Sequence, residues 1–251
     1  MGKRIGLVVT FIFFMALAVI ATSFFFLVKN KQILVNPWFV SRDKDTIGVD
    51  ISHYQGTVDL EKLASQNIKF VYFKATEGSS YKDEHFRENW DKAQDSKIKE
   101  KMLFGAYHFF SLESSGEDQA NNYISTVGDL TGNLVPVVDF ELYGDYLNNP
   151  PKKEYVVSKL RSLLDALEAQ YLTKPMIYSE IDVYNHYLAE DFSDYPLWLR
   201  SVYYPIDWKF RDDWTMWQYT DRGELEGYTE EKYIDLNKLN PAKSLNNYVV
   251  K

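Results

Sequence analysis

Between Ile47 and Leu239, short β-type runs alternate with longer stretches of helical periodicity, and this alternation restricts the fold more than any other feature of the chain. The runs that read as strands are IGVDIS (47–52), FVYFKAT (70–76), MLFGAYHFF (102–110), VPVVDFE (135–141), PMIYSE (175–180), PLWLRSV (196–202), WTMWQYT (214–220) and YIDLNKL (233–239). Most are rich in β-branched and aromatic residues, which suit a pleated, buried surface. Helical patterns fall over 59–66, 83–97, 116–127, 152–170 and 182–188. In the fourth of these, Val156, Leu160, Leu163, Leu164 and Leu167 form one apolar stripe. After the sixth strand the connections are short and rich in Asp, Pro and Trp. Eight strands joined largely by helices predict a parallel sheet, and eight is the number that closes an α/β barrel of the (β/α)8 type. The barrel is expected to be irregular, with helices reduced after the last three strands. The rival is an open doubly wound sheet, but no Gly-x-Gly-x-x-Gly follows the first strand to favour it.

Ahead of this region, residues 5–28 (IGLVVTFIFFMALAVIATSFFFLV) carry no charge, long enough for one N-terminal transmembrane helix. A cleaved signal peptide is the rival, because Ala16-Leu17-Ala18 has the small-x-small pattern of a cleavage site; the domain would then be secreted. Cleavage there would leave Phe24, Phe25, Phe26 and Leu27 exposed on the new terminus, which favours an uncleaved anchor. Lys3 and Arg4 predict a cytoplasmic N-terminus and an extracellular domain in the cell membrane, although Lys29 and Lys31 weaken the asymmetry. The expected organisation is a cytoplasmic tip and anchor over 1–29, a linker over 30–46 and a barrel domain over 47–251. Cysteine is absent, so an exported domain must be held by its core instead of by disulfides. The formal charge of −8 is spread through the chain, which argues against a nucleic-acid partner. A monomer is assumed.

Two carboxylates, Asp139 and Glu141, end the otherwise apolar run VPVVDFE. Residues i and i+2 of a strand share a face, so both acids point the same way. In barrels of this kind chemistry sits at the C-terminal strand ends. Asp50 lies near the end of the first strand and Asp235 within the eighth, its neighbour once the barrel closes. Four acids from three strands are thus expected at one mouth. The alternative for each is an ion pair with a nearby cation or a helix cap, but one strand end rarely needs two caps on one face. Clustered carboxylates repel, so one keeps its proton beside an ionised partner, the equipment for cleaving a glycosidic bond. Tyr107, Tyr178 and Trp217 are candidates for sugar stacking, with barrel packing as the alternative. No Gly-x-Ser-x-Gly elbow and no Cys nucleophile exist. The four histidines show no His-Glu-x-x-His spacing, and a metal centre from Asp50, His53 and His108 is the minor alternative. No metal and no cofactor are expected.

GVDISHYQG (48–56), FVYFKATEG (70–78), GAYHFF (105–110), VPVVDFE (135–141), WQYT (217–220) and IDLN (234–237) together resemble glycoside hydrolase family 25, the N-acetylmuramidases or lysozymes. The resemblance covers roughly residues 47–240. It implies a barrel whose last strands lack full helices, and cleavage of the β-1,4 bond between N-acetylmuramic acid and N-acetylglucosamine in peptidoglycan glycan strands. It puts Glu141 at the family's general-acid position, Asp139 at its partner carboxylate and Asp50 and Asp235 at two further acids of the pocket, with Glu77 as another polar pocket position. One departure is Arg200, which stands where the family commonly has a small residue; it is expected to narrow a subsite or to recruit an anionic group. The competing class is a glycan-binding or scaffold barrel without turnover.

Overall fold

A computed structural model describes residues 2–210 and 213–251. Among the described residues nine strands form: β1 (Ile47–Ile51), β2 (Ile68–Glu77), β3 (Tyr81–Lys82), β4 (Leu103–Phe109), β5 (Val137–Asp139), β6 (Met176–Glu180), β7 (Leu197–Arg200), β8 (Met216–Gly223) and β9 (Ile234–Leu239). Eight of them close a barrel in the order β1-β9-β8-β7-β6-β5-β4-β2, with β1 pairing back onto β2. The two-residue β3 folds back on the end of β2 and lies outside the barrel.

All barrel neighbours from β1 through β2 and on to β8 are parallel, but β9 runs antiparallel to both β1 and β8. This corrects the expectation of an all-parallel sheet. The segment between Gly223 and Ile234 holds no helix to carry the chain back across the barrel, so the next strand must return in the opposite direction. The start of β9 therefore lies at the end of the barrel where β1 finishes, and Asp50 and Asp235 become direct cross-strand partners.

The helices are α1 (Gly2–Lys29), α2 (Leu60–Ser65), α3 (Phe86–Ala93), α4 (Ser96–Lys99), α5 (Gly116–Val127), α6 (Lys153–Tyr171), α7 (Ile181–Val183) and α8 (Ile206–Lys209). The helix expected over 83–97 is broken in two because Asp95 takes an extended backbone and caps α4, accepting the Lys97 N–H at 2.8 Å. The pattern over 182–188 becomes α7 running into one π-helical turn, Tyr184–Leu188. In α6 the predicted stripe of Val156, Leu160, Leu163, Leu164 and Leu167 is wholly buried. Burying each such side chain contributes about 1.5–3 kcal/mol.

Inside the barrel, large aromatics face glycines on the adjoining strand. Phe70 sits across from Gly48 and Tyr72 across from Gly105. A Cβ on Gly105 would come within 2.2 Å of the Tyr72 ring, so only glycine admits this packing. Tyr72 continues into Trp198 at 5.1 Å between ring centroids, and Trp198 into Tyr178 at 5.3 Å. These rings plug the barrel beneath its C-terminal mouth.

α1 leaves its apolar side chains bare: Phe13 is 59% and Ile20 63% exposed. The 24 residues of Gly6–Lys29 span about 36 Å as a helix, more than the ~30 Å hydrocarbon core of a bilayer. The stretch that follows is packed along the barrel. Val35 and Asn36 are buried, Asp45 pairs with Lys238 at 2.8 Å, and the Leu239 N–H donates to the Thr46 carbonyl at 3.0 Å.

Candidate active site

The alternation of β-strands turns one residue in two toward the barrel axis, and at the C-terminal mouth these inward residues line a hollow of about 270 Å³. Asp50 enters from β1, Lys74 from β2, Tyr107 and Phe109 from β4, Asp139 from β5, Tyr178 from β6, Trp198 and Arg200 from β7, Gln218 from β8 and Asp235 from β9, with Glu141 just beyond β5. Asp50, Asp139, Glu141 and Asp235 thus share one hollow. A larger groove of about 690 Å³ on the barrel flank, between Thr57–Glu61 and Gly227–Thr229, contains none of them. Size alone does not mark the chemistry here.

The four acids differ in how their charge is supported. Asp50 accepts the Asn237 Nδ2–H at 2.6 Å and the Gln218 Nε2–H at 3.3 Å. Both donors are oriented in turn: Asn237 Oδ1 accepts the Trp198 indole N–H at 2.9 Å, and Gln218 Oε1 accepts the Tyr178 hydroxyl at 2.9 Å. Burial raises the Asp50 pKa, and these donors oppose the rise. Asp139 lacks such support. No protein donor among the described residues reaches its Oδ1, and burial, then the charges of Glu141 and Asp50, push its pKa well above the usual carboxylate range, with Lys74 opposing. Asp235 is likewise pushed well up by burial and by Asp50 and Asp221. For Glu141 burial raises the pKa, the Arg200 guanidinium opposes the rise, the Glu180 charge adds to it and the Tyr178 hydroxyl opposes it. The hollow is a place where protons are retained on carboxyl groups, with Asp50 given the most hydrogen-bond support for its anion.

Other sequence candidates fall into different positions. Tyr107 and Tyr178 line the hollow, but Trp217 does not: it is 4% exposed, packs on Tyr219 at 5.8 Å and donates its indole N–H to the Ser201 carbonyl at 2.9 Å. Gln218 points inward, so its neighbour Trp217 must point outward, and Trp198 supplies the indole of the site instead. Glu77 also stands outside the hollow, where it pairs with Lys74 at 2.6 Å and orients that cation. Arg200 recruits anions from the protein itself, Glu180 at 2.9 Å and Asp221 at 3.0 Å. His108 is buried with both ring nitrogens engaged, by Thr76 at 2.7 Å and Gln119 at 3.0 Å, and burial lowers its pKa to about 4. His53 is paired with Asp83 at 3.1 Å. Asp50, His53 and His108 are therefore not assembled as a metal centre.

Sequence reading missed Lys74, Gln218, Asn237 and Asp221. For Asn237 a signal existed: it lies two residues after Asp235 in IDLN, on the same strand face.

Comparison with known proteins gives a consistent outcome. Residues 49–228 match the model of "Glycosyl hydrolases family 25". Among solved structures, a family 25 glycosyl hydrolase from Bacillus anthracis superposes with a TM-score of 0.74 at 38% identity, covering 82% of this chain and 95% of the other. A family GH25 lysozyme from Aspergillus fumigatus gives a TM-score of 0.67 at 27% identity, over 83% of this chain and all of that one (100%). Lysozyme M1 of Streptomyces globisporus is 30% identical over 209 residues, 77% of this chain and 67% of that protein.

Proposed function

The chain belongs to glycosyl hydrolases family 25 and is a glycoside hydrolase; from that membership, and from the bare apolar helix α1 ahead of the barrel, we propose that it is a membrane-anchored muramidase. It cleaves the β-1,4 bond between N-acetylmuramic acid and N-acetylglucosamine in peptidoglycan. The observation that carries the reading is the convergence of Asp50, Asp139, Glu141 and Asp235 on one hollow at the barrel mouth.

In this mechanism Glu141 enters protonated, as burial favours, and gives its proton to the leaving glycosidic oxygen. Asp139, ionised in the reacting complex, supports the positive charge that develops on the sugar, with Oδ1 available to a substrate donor such as an acetamido N–H. Both carboxyls have raised pKa values, so the competent state, one proton on Glu141 and none on Asp139, is one distribution of protons within a coupled set. Asp50, held by Asn237 and Gln218, is the acid whose anion has the most hydrogen-bond support beneath the reacting ring. Tyr107, Tyr178 and Trp198 give the sugar an apolar floor. The bare apolar surface of α1 supports a single membrane span, and Lys3 and Arg4 ahead of it favour placing the barrel on the extracellular side.

The test is mass spectrometry of fragments released from purified walls by the full chain in detergent. Fragments ending in reducing N-acetylmuramic acid are expected. Reducing N-acetylglucosamine ends would assign a different bond, and binding without release would make the barrel a glycan-binding scaffold.

A further inference from the structure

The segment after α1 does more than connect it to the barrel. Lys31 takes a left-handed backbone (φ 55°), unusual for a residue with a side chain, at the C-terminal end of α1. Its carbonyl accepts the Arg222 guanidinium at 3.0 Å, and its ammonium pairs with Asp221 Oδ2. The same Oδ2 accepts from Arg200 at 3.0 Å, and Arg200 reaches Glu180 with its other arm at 2.9 Å. Five residues on, the Asn36 side chain is completely buried and donates to the Ser201 carbonyl at 2.7 Å and the Tyr219 carbonyl at 2.9 Å. Those carbonyls flank the stretches of β7 and β8 that carry Arg200, Gln218 and Asp221. One short strap thus grips the two strand ends that form one wall of the hollow.

We propose that residues 31–36 belong to the active-site rim, and that Lys31 is a positioning residue which, by sharing Asp221, fixes how Arg200 stands beside Glu141. This rests on the muramidase reading and deepens it. Arg200 and Lys31 compete for one carboxylate oxygen. While Lys31 holds it, the Arg200 charge is only partly spent on Asp221 and acts on Glu141; without Lys31, Arg200 alone neutralises Asp221. Of the other groups in or beside the hollow, Asp50, Asp139, Asp221, Asp235, Glu180 and the Tyr178 hydroxyl are negative or neutral, and the cation Lys74 is paired with Glu77 and acts on Asp139, so Arg200 is the cation that most restrains the proton affinity of Glu141.

The experiment compares the full chain in lipid nanodiscs with its Lys31→Met and Lys31→Arg variants. The lytic rate on purified walls, saturating in wall concentration, is measured against pH. Lys31→Met is expected to lower the maximal rate about three- to tenfold by loosening the wall of the hollow, and to move the alkaline limb to higher pH. Lys31→Arg should restore both. In parallel, thermal midpoints of Lys31→Met, Arg200→Gln and the double variant form a cycle that needs no activity. Non-additive midpoints support the coupling, whereas additive midpoints, or a Lys31→Met pH profile superimposed on the parent's, overturn it. Failure of the parent to lyse walls would count against the muramidase reading, and the stability cycle would still decide whether Lys31 and Arg200 are coupled.

Discussion

At Asp139 stability and chemistry oppose each other. Burial and the neighbouring carboxylates hold its pKa above the unfolded value, as they do for Glu141 and Asp235, while for Asp50 burial alone raises it against its hydrogen-bond donors. A group raised in the folded state contributes stability that is complete below its unfolded pKa and is lost as pH rises through the folded pKa. The thermal midpoint should therefore be highest in acidic buffer and decline toward neutrality as these groups ionise. Asp139→Asn removes a carboxylate whose buried Oδ1 has no partner among the described residues. Calorimetry should show its midpoint at pH 7 higher by roughly 2–4 °C for each kcal/mol recovered, together with a flatter pH dependence. Its lytic rate should fall at least about a hundredfold. Glu141→Gln should lose about 10²–10⁴ in rate, measured by wall turbidity, without a lower midpoint. The parent's rate should drop on the alkaline side as the proton on Glu141 is lost, and a rate flat to pH 9 would exclude a carboxylic acid as donor. The convergence of the four acids was legible because strand parity and barrel geometry are simple rules. Trp217 was misread by the same parity, one position from the inward-facing Gln218. The neutral residues that decide which acid keeps its charge, Gln218 and Asn237, have no sequence signature apart from their spacing.

At the scale of elements, eight short strands are legible as strands, but their direction is not, since an extended run reads alike both ways. The cue for β9 was the connection before it, too poor in helical pattern to bring the chain back across the barrel. The helix over 83–97 failed at Asp95, whose preference for capping outweighed a periodicity that continues on both sides. The barrel interior yields a further prediction. Gly105→Ala pushes a methyl group against the Tyr72 ring and through it against Trp198 and Tyr178, the floor of the site. Denaturant titration should record a loss of about 1–3 kcal/mol. The turnover of the folded fraction should fall as well, because the displaced rings orient Asn237 and Gln218.

For the whole molecule, the apolar run was the plainest statement in the sequence, whereas the attachment of residues 30–46 to the barrel was not visible: a buried Asn and a lone Lys look like linker residues until their partners, far along the chain, are known. The full chain is expected to stay with sedimented membranes through alkaline carbonate washing and to be released by detergent; release by carbonate alone would exclude a spanning α1. The reversed last strand has a bearing on timing. Until β9 slots in beside β1, the barrel has an open seam and Asp235 is missing from its floor. A chain in which that closing stave has not yet docked lacks one of the four acids, so cutting power is expected to arrive only with the last strand.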